Sequence, residues 1–141
     1  SVHDGWLRSY GELGKAENAA YPVAPEEPSQ KAIYWHLWPN TELIIYPGEA
    51  AMTTFRFYPK GTASTGTSSM MLLQPGDTIA KQRLNYRWNV LWPEDKSICH
   101  SVHHGLQSKG YRGGVLVENE DRHAVSEHGV QAFQSFYRQW M

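Results

Sequence analysis

The sequence predicts an α+β fold in which an antiparallel sheet packs against a long helix and a C-terminal helix. Three observations carry that expectation. Four strand-length runs rich in β-branched and aromatic residues follow one another across short Pro, Gly and Asn connections. A segment from Trp92 to Leu106 has Pro93 at its start and Gly105 and Gly110 as stops. Finally, residues 126–140 repeat apolar side chains at three- and four-residue spacings.

In chain order, Ser1 to about Gly14 is short and mixed in character, and Ala19 to Pro28 contains Pro22, Pro25 and Pro28, which suits an extended loop. Residues 1–31 therefore read as a loop-rich, poorly anchored N-terminal segment, and 32–141 as the domain proper. Ala32–Trp38, Glu42–Tyr46, Ala51–Tyr58 and Thr65–Leu73 read as strands. Connections as short as Pro39-Asn40 and Pro47-Gly48 favour antiparallel neighbours. The third strand alternates Met52, Thr54, Arg56 and Tyr58 with Thr53, Phe55 and Phe57, so one sheet face is expected to be apolar or aromatic. Gln74–Thr78 is a turn. Ile79–Leu91 fits a strand or a helix, and is read as a strand or irregular passage. After the Trp92–Leu106 helix come a Gly-rich loop at 110–114 and the short Val115-Leu116-Val117 run. Val130, Phe133, Phe136, Tyr137 and Trp140 then give the last helix an aromatic stripe to lay on the domain.

Composition narrows the function classes. At 141 residues the chain has the length of one domain. A formal charge of -1 without a long basic run argues against nucleic acid and anionic membranes as partners. No apolar stretch is long enough to span a bilayer and no export signal is visible. Cys99 is the only cysteine, which excludes an intrachain disulfide and a multi-cysteine zinc or iron–sulfur site, so a reducing, cytoplasmic setting is expected. Ser1 in place of Met suggests a processed, tagged or truncated product.

The residue that stands out is Asp95. At about 100° per residue, Ile98, Cys99, Val102 and Leu106 fall within roughly 60° of it, which puts a carboxylate in the middle of the stripe a helix should bury. A buried carboxylate is costly unless paired, hydrogen-bonded or bound to a metal. His100 and His104 have the spacing of a helical zinc pair, but Ser101 stands where such a motif needs a glutamate, and both point away from the apolar stripe. They read as a solvated face. His103 is about 12 Å along the axis from Asp95, too far to share an ion with it. Cys99 reads as a small core residue rather than a nucleophile, and Gly113-Gly114 as a turn rather than a dinucleotide loop. Trp35, Trp38, Trp88 and Trp92 fit either core or a ligand pocket.

Trp38-Pro39-Asn40, Leu43-Ile44-Ile45-Tyr46-Pro47, Pro93-Glu94-Asp95, Gly105-Leu106-Gln107-Ser108-Lys109-Gly110-Tyr111 and Ser126 to Phe133 occur in an order that resembles the C-terminal part of the catalytic domain of Rieske non-haem iron oxygenases, the ring-hydroxylating and amine-demethylating α subunits. The likeness covers 32–141. It implies a helix-grip (START-like) fold and a mononuclear Fe(II) held by two histidines and one carboxylate. Asp95 resembles that carboxylate, and Trp88 and Trp92 resemble pocket-lining aromatics. It further implies O₂-dependent hydroxylation or oxidative demethylation of a small organic substrate, with a quaternary amine preferred over an arene. Electrons would come from a reductase by way of a Rieske [2Fe-2S] cluster in a neighbouring subunit.

The departures limit what the chain does alone. The family's histidine pair lies upstream of the matching region; here His3 is the only histidine near the start, and Arg8 stands five residues on in place of the second imidazole. The Rieske cluster's Cys-x-His and Cys-x-x-His motifs are absent, and His103 occupies a position where relatives have Gln. No catalytic residue is assigned, and the chain is expected to hold no complete iron site. A homo-oligomer or the remainder of an α subunit is the expected partner. The competing reading is a stand-alone module that binds a small hydrophobic ligand without catalysis.

Overall fold

A computed structural model describes residues 1–12, 23, 29–48, 51–119 and 126–140. Six antiparallel strands form one sheet in sequence order: β1 (Val2–His3), β2 (Trp6–Glu12), β3 (Lys31–Leu37), β4 (Thr41–Ile45), β5 (Ala51–Gly61) and β6 (Ser64–Leu73). Helix α1 (Ala80–Tyr86), a π-helical turn (Arg87–Leu91) and α2 (Trp92–Leu106) follow, and α3 (His128–Trp140) is last. The contacts divide the chain into two units, Ser1–Pro75 with Leu116–Met141, and Gly76–Val115.

In the first unit, the four strands expected from 32 to 73 are present, because alternation and Pro/Gly connections mark them locally. The hairpin between β3 and β4 turns at Trp38–Asn40, where Asn40 Nδ2 donates to the Phe57 carbonyl at 2.8 Å and the Phe57 N–H donates to the Asn40 carbonyl at 2.9 Å. One residue thus ties the turn to β5. Gly48, in the next connection, has φ +68, a left-handed conformation that glycine adopts without a Cβ penalty, and its N–H donates to the Ser29 carbonyl at 2.8 Å.

The pairing register sorts the side chains. Leu7, His36, Glu42 and Phe55 form one row across β2 to β5, and Ser9, Tyr34, Ile44 and Thr53 the neighbouring row on the same face. The buried side chains of the sheet, Leu7, Ala32, Ile44, Ala51 and Thr53, all belong to this face. Helix α3 lies on it at the β2 end. A Cβ on Gly129 would meet Leu7 Cδ1 at 4.0 Å, the Phe133 ring centroid is 5.2 Å from that of Trp38, and Phe136 is 6.1 Å from Trp38.

Three expectations are corrected. The N-terminal residues are anchored: β1 and β2 occupy Val2–His3 and Trp6–Glu12, and β2 pairs with β3 along its whole length, from Trp6↔Leu37 to Glu12↔Lys31. Glycine and charge diluted the local strand signal, and the ladder to β3 decided the matter. The proline-rich stretch 19–28 lies, apart from Val23, outside the described residues. Ile79–Leu91 is helical from Ala80 rather than extended: Asp77 Oδ1 accepts the Ile79 N–H at 3.0 Å in the turn just before α1, and the Asp77–Arg83 ion pair fastens that turn to the helix. The aromatic stripe of α3 is only partly laid down. Phe136 is buried, but Val130, Tyr137 and Trp140 stay exposed, since among the described residues the helix packs on β2, His36 and the Trp38 turn through its other side.

In the second unit, α1, the π-helical turn and α2 run on without a break from Ala80 to Leu106. Pro93 therefore lies in the first turn of α2 rather than starting a separate helix. A proline has no N–H to donate and crowds the carbonyl one turn back; the wider π turn just before it accommodates both defects.

Candidate functional site

Asp95 sits in the first turn of α2 with Glu94 beside it, and it is exposed. No residue of α2 is buried: Ile98, Val102 and Leu106, the apolar stripe around Asp95, are 55%, 54% and 48% exposed. The expected burial of Asp95 is corrected, and Cys99, expected in a core, is likewise exposed. Periodicity identifies a face able to be covered; the described residues supply no cover. In water the carboxylate needs no partner, so the burial argument for a bound metal loses its force in this chain.

The histidines of α2 also face solvent. His103 Nε2 lies 3.0 Å from Gln107 Nε2, and the rings of His103 and His104 are 6.3 Å apart. Among the described residues no group of three His, Cys, Asp or Glu side chains is placed to hold a metal. One carboxylate with no imidazole near it is not the donor set of a mononuclear Fe(II) site, so the described residues do not fit that ion by themselves. His3, the histidine nearest the start, stacks on Trp6 at 3.9 Å in the β1–β2 hairpin. Arg8 lies over the Tyr10 ring at 5.1 Å.

Trp88 and Trp92 are brought together. Their ring centroids are 6.4 Å apart at 64°, an edge-to-face pair that opens an aromatic corner, with Trp88 exposed and Trp92 half-buried. The π-helical turn runs between them. Trp92 and Asp95, three residues apart in α2, share a helix face, so the corner and the carboxylate lie along one side of the second unit.

The first unit holds a second polar constellation that the sequence reading did not single out. His36 Nε2 lies 3.4 Å from Glu42 Oε1, directly across β3 and β4, with the Phe133 ring 6.0 Å from the imidazole. Burial pushes the Glu42 carboxyl above its ordinary range, and His36 pulls it back in part. The two residues stand symmetrically about the Trp38–Asn40 turn, which is the signal that hairpin register would have offered. Beside them a groove of about 950 Å³ runs between β2 and the start of α3, lined by Leu7, Arg8, Tyr10, Lys31, His36 and Val130 among others.

The described residues thus form an antiparallel sheet with a C-terminal helix on it, and a separate long helical segment that carries an acidic first turn and a tryptophan pair. The chain belongs to the ring hydroxylating alpha subunit family, at its catalytic domain: the family profile matches residues 8–141. Particular relatives are carnitine monooxygenase oxygenase subunits. That of Acinetobacter baumannii is 27% identical over 99% of this chain, and that of Escherichia coli 28% identical over 99%. The chain spans 38% of the first relative's length and 37% of the second's. Among solved structures, the quaternary ammonium Rieske monooxygenase CntA in complex with gamma-butyrobetaine superposes with a TM-score of 0.76 at 26% identity. That match covers 99% of this chain and 37% of that one. The same enzyme with L-carnitine gives a TM-score of 0.74.

Proposed function

We propose that this chain is the C-terminal portion of the catalytic domain of a Rieske-type oxygenase α subunit that oxidises a quaternary ammonium compound. The observation that carries the reading is the match along 99% of the chain to carnitine monooxygenase oxygenase subunits. The Trp88–Trp92 corner supports it, because indole faces attract an alkylammonium ion that cannot donate a hydrogen bond. On this reading Asp95 is the carboxylate the chain contributes to an Fe(II) site, and the histidines come from outside these residues. The sheet and long helix are then part of a helix grip, and the exposed α2 face is covered in the complete subunit. The Rieske cluster and reductase belong to the rest of the enzyme, an oligomer working in the cytoplasm, and the chain alone is inactive. A stand-alone binding module would call for an enclosed pocket and an Asp95 held by a cation. Among the described residues Asp95 makes no ion pair.

Two measurements test this. Oxygen consumption by a full-length parent is expected with gamma-butyrobetaine or carnitine and not with arenes; turnover of arenes alone overturns the substrate class. Iron analysis of the 141-residue chain should find far less than one equivalent. Stoichiometric iron would contradict the incomplete site.

A further inference from the structure

One side of α2 is polar throughout. At about 100° per residue, Lys96, Ser97, His100, Ser101, His104 and Gln107 all fall more than about 90° from Asp95, opposite the apolar stripe of Ile98, Val102 and Leu106. A face of this composition stays in water whichever surface the stripe packs against. On it His100 and His104 are one turn apart, their positions differing by about 40° around the axis and about 6 Å along it. Both are exposed. Neither imidazole makes a hydrogen bond or an ion pair among the described residues, and His104 meets only the His103 ring, 6.3 Å away. The polar neighbours are engaged elsewhere: Ser101 Oγ donates to the Ser97 carbonyl at 3.1 Å, and Gln107 Nε2 lies 3.0 Å from His103 Nε2. His104 stands in the last turn of α2, where the unpaired carbonyls of a helix end favour a cation.

We propose that His100 and His104 form a two-imidazole chelate for a divalent transition ion of the zinc type, with water completing its shell. Two neutral imidazoles one helical turn apart converge on a single ion, as the paired histidines of helical zinc motifs do. Ser101 stands between them where such motifs carry a general base, so the site is structural and not hydrolytic. Its bound ion cross-links a turn of α2 and holds the hydrogen bonds of that turn closed. Zinc stands above Fe(II) in the order of affinities for nitrogen donors, so the chelate differs in metal as well as in helix face from an iron centre at Asp95. The inference stands independently of the oxygenase reading.

The test uses the 141-residue chain carrying Cys99→Ser, which removes the exposed thiol beside His100 as a competing zinc ligand. Calorimetric titration with zinc chloride is expected to show one saturable equivalent, and zinc is expected to slow amide exchange between Ser101 and Gln107. His100→Gln and His104→Gln should each weaken that binding at least about tenfold, because either change removes a second ligand held at an effective concentration on the order of mM or more. His103→Gln should leave it unchanged, and circular dichroism of the three variants should show the same helix content. Zinc binding that survives both the His100 and the His104 change, or that His103→Gln abolishes, overturns the proposal. Binding without slowed exchange in α2 also overturns it. So does a full-length parent, loaded with its own iron, that takes up no further zinc through these two residues, since that result places the pair under cover.

Discussion

Asp77 Oδ2 and Arg83 Nη1 are 2.5 Å apart, and both side chains are almost fully out of water. The other carboxylate oxygen accepts the Ile79 N–H at 3.0 Å, so the same residue that neutralises a buried guanidinium also holds the turn that leads into α1. Asp77→Ala leaves Arg83 charged and buried, and about 3–5 kcal/mol of stability is expected to go with it. The double variant Asp77→Leu with Arg83→Met should lose less than either single one, since a packed apolar pair leaves no charge to solvate. Urea unfolding followed by far-UV circular dichroism checks the order.

The His36–Glu42 pair gives a pH dependence of definite sign. Desolvation raises the Glu42 carboxyl in the folded chain above its unfolded value, so its contribution favours the fold at pH below the unfolded value and is lost as pH rises through the folded one. Glu42→Gln is therefore expected to be more stable relative to the parent at pH 7 than at pH 4. His36→Gln should push the Glu42 carboxyl higher still, because it removes the opposing charge. Denaturation midpoints across pH, with carboxyl titration by NMR, measure both.

Phe136 is the one buried residue of α3, set against Trp38. Phe136→Ala should cost about 3–5 kcal/mol, and Phe133→Ala less, because Phe133 is already 38% exposed. A thermal melt of each variant ranks them.

The proposed role of Asp95 predicts different outcomes in the 141-residue chain and in a full-length parent. In the 141-residue chain Asp95→Ala should change stability by less than about 0.5 kcal/mol, as for an ordinary surface position. In a full-length parent the same change should abolish iron retention, read by metal analysis. Retained iron would remove Asp95 from the ligand set.

The four central strands were legible because alternation, β-branched residues and Pro/Gly turns are local signals. Strand β2 was not, since its identity rests on a partner, β3, far along the chain. Helix α1 was missed because a short run ambiguous between two periods was settled by a buried ion pair, and pairings of that kind leave no periodic trace. Asp95 was found through a correct stripe and an incorrect inference, since an apolar face becomes a buried one only when something lies over it.

The sequence by itself determined the strand pattern from 32 to 73, the helical segments around Asp95 and at the C-terminus, and the family, because these depend on residue order alone. Tertiary structure alone decided that the first residues join the sheet, that His36 meets Glu42, that Trp88 meets Trp92, and that Asp95 faces water. Each is a distance between side chains or an exposure to solvent, and both are set by which surfaces the folded chain brings together.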